Sequence, residues 1–203
     1  MCFAKNTVPS VRIPAATAIF WAFLLLPGFQ PSALLAPAAA LIHEAGHLLA
    51  MRLCRVGVTE ITLYPFGADI RRTGELTSYR SDFLIYGAGI AANLAAALLC
   101  LPWRAREPVI FFQLCNLMLA ALNMMPVSLL DGGGMMHCVL CRYCGYVKAE
   151  RIGDKISFLT VVILWIFSLY ILFYTSSNFS LFLLSAYLFA TLYLPSERKG
   201  KNQ

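Results

Sequence analysis

Two histidines and a glutamate stand inside a run of small and aliphatic residues, Ala40-Leu41-Ile42-His43-Glu44-Ala45-Gly46-His47-Leu48-Leu49-Ala50. Histidines four positions apart are separated by about 400° around a helix of ~3.6 residues per turn, so they share a face and can grip one zinc ion. Glu44, one residue on, falls beside such a metal and not on it. There its carboxylate can take a proton from water whose pKa the metal lowers toward ~7, and return it to the leaving amine of a cleaved peptide bond. Ionisable groups in so apolar a helix are costly, about 2.5–3.5 kcal/mol each at a bilayer centre on insertion scales. That cost makes an idle cluster, two histidines and a glutamate that only hydrogen-bond neighbouring helices, the weaker reading.

A catalytic zinc takes three protein ligands and keeps a fourth position open. The chain holds three histidines in all, so the remaining ligand is His137 or a carboxylate. Asp131 is the better candidate. It ends a long apolar stretch and is followed by Gly132, Gly133 and Gly134, which let backbone and substrate approach closely. His137 lies further along and reads as a surface or helix-packing histidine.

The elements that must hold these groups are membrane helices. Of the 203 residues, 60% are hydrophobic and 13% charged, and the mean hydropathy of +0.71 lies outside the range of ordinary soluble domains. Whole segments are apolar on every side, as lipid-facing helices are. The expected fold class is therefore an all-α polytopic membrane protein, one domain over residues 1–203. Six stretches are close to the ~20 residues a bilayer crossing needs: 13–29, 31–53, 83–102, 108–130, 156–175 and 178–194. The first is read as a retained helix, because Pro27 and Gly28 lead straight into the next apolar stretch without a small-residue cleavage pattern.

Charge sets the expected orientation. Lys and Arg number 2, 5, 4 and 3 in the N-terminal segment, the 52–82 region, the 142–155 connection and the tail, against only Arg104 and Arg106 on the other side. This bias puts both termini in the cytosol of a bacterial cell and brings His43, His47 and Asp131 to one depth near the cytosolic face. The net charge of +6 is a topology signal and does not imply nucleic acid, since the basic residues fall between apolar runs without interleaved aromatics. Trp103, Tyr143, Tyr146 and Tyr193, near span ends, read as interfacial anchors.

Between the second and third spans, Val58-Thr59-Glu60-Ile61-Thr62-Leu63-Tyr64 precedes Pro65 and Gly67, and Ala68 to Ile70 follow, which predicts a short β-hairpin with its turn near Phe66. A strand edge there could hold a substrate extended, with Phe66 among the substrate-binding residues; an amphipathic interfacial loop is the plainer alternative. Cys138, Cys141 and Cys144 echo an iron–sulfur run, but positions three apart drift by about 60° on a helix and no fourth Cys-Pro follows. They are read as free thiols.

In order along the chain, His43-Glu44-Ala45-Gly46-His47, then Gly87 to Leu94 on the third span, then Asn123 to Gly133, resemble the site-2 protease family of intramembrane zinc metalloproteases. The six spans, the Ile61 to Ile70 connection and the spacing from Asn123 to Asp131 are most similar to the family's stage IV sporulation branch, which cleaves a membrane-tethered sigma-factor precursor. The resemblance implies zinc held by His43, His47 and Asp131, Glu44 as the base, and Asn123 holding the substrate backbone or oxyanion. It also implies a membrane-associated protein substrate and regulatory or inhibitory membrane partners. Two departures concern local helix breaks: Leu129 where the family usually has proline, and Gly89-Ile90 with Asn93 where it has Gly-Pro and a polar residue. The tail after Leu194 is expected to carry no cytosolic nucleotide-binding domain of the kind found in that branch. The competing reading is a metal-binding membrane protein without proteolysis, a transporter or an inactive scaffold. Transport would spread ionisable groups along a path, whereas here they gather at one depth.

Overall fold

The computed structural model describes residues 10–24, 31–64, 67–73, 78–175 and 179–193. The chain packs as two compact units, Met1–Met124 and Met125–Gln203. Among the described residues there are seven α-helices and one three-stranded sheet.

The first unit contains β1 (Ser10–Arg12), α1 (Ala15–Leu24), α2 (Leu35–Leu53), β2 (Gly57–Tyr64), β3 (Gly67–Thr73), α3 (Tyr79–Leu99) and α4 (Glu107–Asn123). Helices α2, α3 and α4 pack on one another. Helix α2 ends in a Schellman closure: Val56 N–H reaches Met51 O at 2.9 Å, Arg55 N–H reaches Arg52 O at 3.2 Å, and Arg55 takes the left-handed conformation at φ 57°. The chain thereby turns out of the helix into β2. The predicted hairpin is present, β2 pairing antiparallel with β3 from Gly57↔Thr73 to Tyr64↔Gly67, while its connection at Pro65 and Phe66 lies outside the described residues.

The sheet also holds a strand that local patterning does not reveal. Ser10–Arg12 pairs in parallel with Glu60–Thr62, so β2 is central and the order is β1-β2-β3. Glu60 sits between cations from both neighbours, with Arg12 Nε at 2.6 Å and Arg71 Nη1 at 3.4 Å from its carboxylate. Arg72 of β3 ties the sheet to α3 through Asp82 at 2.7 Å and the face of Tyr86 at 5.4 Å. Ile70 and Val58 pack against Ala50, Met51 and Ile85, so the sheet is fastened to the cytosol-directed end expected for α2 by apolar contact as well as charge.

The second unit contains α5 (Asp131–Cys144), α6 (Tyr146–Thr175) and α7 (Phe179–Tyr193). Here the expected spans are corrected. The fourth does not run over 108–130: α4 stops at Asn123 and a new helix begins at Asp131. Pro126 explains the break, since it offers no N–H and its ring excludes the helical conformation from the residue before it. Segment 142–155, read as a connection, is helical except at Gly145, whose φ of 78° closes α5 and lets α6 begin ten residues before the expected span. Val127, Val161, Leu164 and Leu188 form the core. The buried Ser168 and Ser185 hydroxyls meet at 3.1 Å between α6 and α7, a polar contact within the apolar stretches of the two helices.

Candidate metal centre

Helix α2 places His43 and His47 on one face, as their spacing requires, and both are buried, at 6% and 8% exposure. The rings meet edge to face with centroids 4.7 Å apart, and the two Nε2 atoms are 3.1 Å apart. His47 Nδ1 lies 2.8 Å from the carbonyl oxygen of Ile85 on α3. A carbonyl only accepts, so Nδ1 donates this hydrogen bond, and Nε2 is the nitrogen turned toward His43.

These two nitrogens fit a metal. With Zn–N bonds of ~2.0–2.1 Å in a tetrahedron, two histidine ligands stand about 3.3–3.4 Å apart, against the 3.1 Å observed. Room for the rings comes from α3. A Cβ on Gly89 would stand 2.5 Å from His47 Nε2 and 2.7 Å from His43 Cε1, so the histidine pair occupies the space that any side chain at position 89 would fill. Gly46, between the histidines, brings α3 near: a Cβ there would lie 2.6 Å from the Ala88 carbonyl oxygen. Glu44, next to His43, is half-buried on the same helix.

The other expected site residues fall as follows. Asp131, in the second unit, is the first residue of α5, where the helix N-terminus favours negative charge. Gly133 is required there because a Cβ would overlap the Val127 carbonyl oxygen, and the Pro126–Ser128 segment leading to it is held by Ser157 of α6, whose hydroxyl accepts Ser128 N–H at 3.0 Å and donates to Pro126 O at 3.4 Å. Asn123 is the last residue of α4, and its Nδ2 donates to Leu119 O at 3.0 Å on its own helix. Phe66 lies outside the described residues. His137 packs edge to face on Tyr146 at 5.6 Å, in keeping with a packing role. Cys138, Cys141 and Cys144 lie along α5, the first two buried and the last exposed, and burial raises the Cys141 thiol above its ordinary range. Gly89 as a cradle and Ser157 as a brace escaped the sequence reading. The signal for the first was a glycine in mid-helix opposite the histidine motif; a lone serine in an apolar span carried none.

Comparisons with known proteins now bear on this geometry. The solved site-2 protease of Methanocaldococcus jannaschii superposes with a TM-score of 0.65 at 20% identity, covering 90% of this chain and 88% of that one. The chain has the site-2 protease fold. The zinc metalloprotease MJ0392 of Methanocaldococcus jannaschii is 25% identical over 84% of this chain and 48% of its own length. Rip3 of Mycobacterium tuberculosis is 32% identical over 57% of this chain and 32% of its own. The chain thus spans about half of the first of these relatives and a third of the second. No protein-family model matches. The sporulation branch is not distinguished by any of these similarities.

Proposed function

We propose that this chain is an intramembrane zinc metalloendopeptidase of the site-2 protease type, with His43, His47 and Asp131 holding the metal and Glu44 serving as base. The observation that carries the reading is the pair of Nε2 atoms 3.1 Å apart, one of them oriented by the Ile85 carbonyl, beside a glutamate on the same helix. Two imidazoles and a carboxylate are a donor set suited to zinc, with a fourth position left open for catalysis. When bound, zinc supplies Lewis acidity that polarises a peptide carbonyl and acidifies water. Glu44 takes the proton from the attacking water and delivers it to the leaving nitrogen as the C–N bond breaks. Asn123, at the end of α4, holds the substrate backbone near the metal once its amide turns from Leu119, and Phe66 is a further substrate-binding residue.

A membrane setting is supported by helix length and composition: Tyr79–Leu99 and Tyr146–Tyr174 are long and apolar enough to cross a bilayer. Exposed Leu98, Leu99, Ile163, Ile166, Phe167 and Phe173 suit lipid contact. The distribution of Lys and Arg supports cytosolic termini and a cut near the cytosolic face. The substrate would then be a membrane-associated protein whose soluble part is released. A sigma-factor precursor, under the control of membrane partners, is the substrate the sequence resemblance favours.

The test is co-expression with a membrane-tethered precursor, comparing the chain with Glu44→Gln. Zinc stays bound and cleavage falls by roughly 10²–10⁴-fold, the range for loss of a general base. Undiminished cleavage removes Glu44 from its role, and bound zinc without cleavage in the parent chain favours a non-proteolytic metal protein.

A further inference from the structure

The middle of the first unit holds two amides that its own atoms do not satisfy. Asn93 on α3 and Asn116 on α4 are both 0% exposed. Asn116 Nδ2 donates to Phe112 O at 2.9 Å on its own helix, but its Oδ1 has no partner, and neither Nδ2 nor Oδ1 of Asn93 has one. Each buried polar group left unpaired costs about 1–3 kcal/mol. Leucine at either position would carry no such cost.

Helix register puts the two amides within about one turn of each other. Helices α3 and α4 are joined by a short connection and run antiparallel, and Gln113 Nε2 donates to Ala97 O at 3.1 Å. One turn back from Ala97 along α3 is Asn93, and one turn on from Gln113 along α4 is Asn116. On α2, His47 faces Ile85 and His43 faces Gly89, so the next turn brings Ala39 opposite Asn93. Ala39 is buried and its methyl group offers no hydrogen bond. His43 is one turn from this level, ~6 Å along the helix axis.

The ligand must be small, because no peptide segment reaches two fully buried side chains among packed helices. It must also both donate and accept, since it meets the N–H groups and oxygen of Asn93 and the oxygen of Asn116. Water satisfies both conditions, and these three groups match the ~3 hydrogen bonds typical of a buried water. We propose that Asn93 and Asn116 form an internal water site in the α2–α3–α4 bundle, one turn from the histidine pair. Its use as a water supply for hydrolysis rests on the protease reading, in which each peptide bond cut consumes one water; the site itself does not.

The test is nuclear magnetic resonance on the full chain, zinc-loaded and in lipid nanodiscs, with asparagine side chains labelled with nitrogen-15. The Asn93 Nδ2 protons give a cross-relaxation peak with water of the sign expected for a long-lived bound molecule, and the peak disappears in Asn116→Leu while zinc content is unchanged. Absence of the peak in the parent chain overturns the proposal whatever the variants do, and a peak unchanged in Asn116→Leu overturns the two-amide site. Failure of the protease reading shows itself elsewhere, in Glu44→Gln. If the water feeds the reaction, Asn93→Leu lowers turnover with zinc retained; unchanged turnover with the peak lost overturns the supply role.

Discussion

His47 and Gly89 meet across the α2–α3 interface with no room for a methyl group between them: a Cβ on Gly89 would come within 2.5 Å of His47 Nε2. The backbone of α3 therefore shapes the histidine pair from two directions, by the absence of a side chain at Gly89 and by the carbonyl of Ile85 that accepts from His47 Nδ1. Gly89→Ala should fold yet lower zinc affinity by about 10–100-fold, the scale for disturbing groups that orient metal ligands. Gly153→Ala is the control, since its Cβ would meet only Met136 Cε, at 3.9 Å. Elemental analysis after dialysis against a graded chelator distinguishes the two, and equal zinc retention would count against the cradle.

Asp131 and His137 compete for the third ligand position in sequence, and metal content separates them. Asp131→Asn keeps the shape and removes the anionic donor, so zinc retention should drop by an order of magnitude or more. His137→Ala removes a ring that packs on Tyr146 and should leave zinc content unchanged. The reverse outcome would exchange their roles.

Ser157 braces the segment that leads to Asp131. Ser157→Ala removes the hydrogen bond to the Ser128 N–H, and because Ser128 is exposed the loss is the net value of one hydrogen bond, about 0.5–1.5 kcal/mol. Thermal melting in detergent reads the stability, and zinc retention reads the positioning of Asp131. Ser157→Thr keeps the hydroxyl and should recover most of both; equal loss in the alanine and threonine variants would point to packing alone.

Arg55 occupies a left-handed position at the end of α2 that glycine adopts without steric cost. Arg55→Gly should stabilise by about 1 kcal/mol if the Schellman closure sets the helix end, raising the melting temperature by roughly 2–4 °C for a chain of this size. A lower melting temperature would show that the arginine side chain contributes more than its backbone strain costs.

What the sequence disclosed was local. The face shared by His43 and His47 follows from a spacing of four, and the hairpin from alternation around Pro65 and Gly67. Both needed only residues near one another. The parallel pairing of Ser10–Arg12 with Glu60–Thr62 spans about fifty residues of chain and leaves no periodic trace in three residues. The helix beginning at Asp131 was hidden for another reason: glycine is a poor helix former and three stand in succession, yet Gly133 is selected by the Val127 carbonyl that presses on it. Pro126 did carry the signal for the break in 108–130, and the apolar composition around it masked that signal. Asn116 was likewise legible in principle, as an amide in an apolar span.

Helix α6 is 30 residues long, ~45 Å at 1.5 Å per residue, against a hydrocarbon thickness of ~30 Å. Its first ten residues carry Lys148, Glu150, Arg151, Asp154 and Lys155 and would stand clear of the lipid as a rigid arm. Ser157 lies just past that arm, and one unbroken helix joins the charged residues to the hydroxyl that holds Pro126 and Ser128, so arm and segment share a single mount.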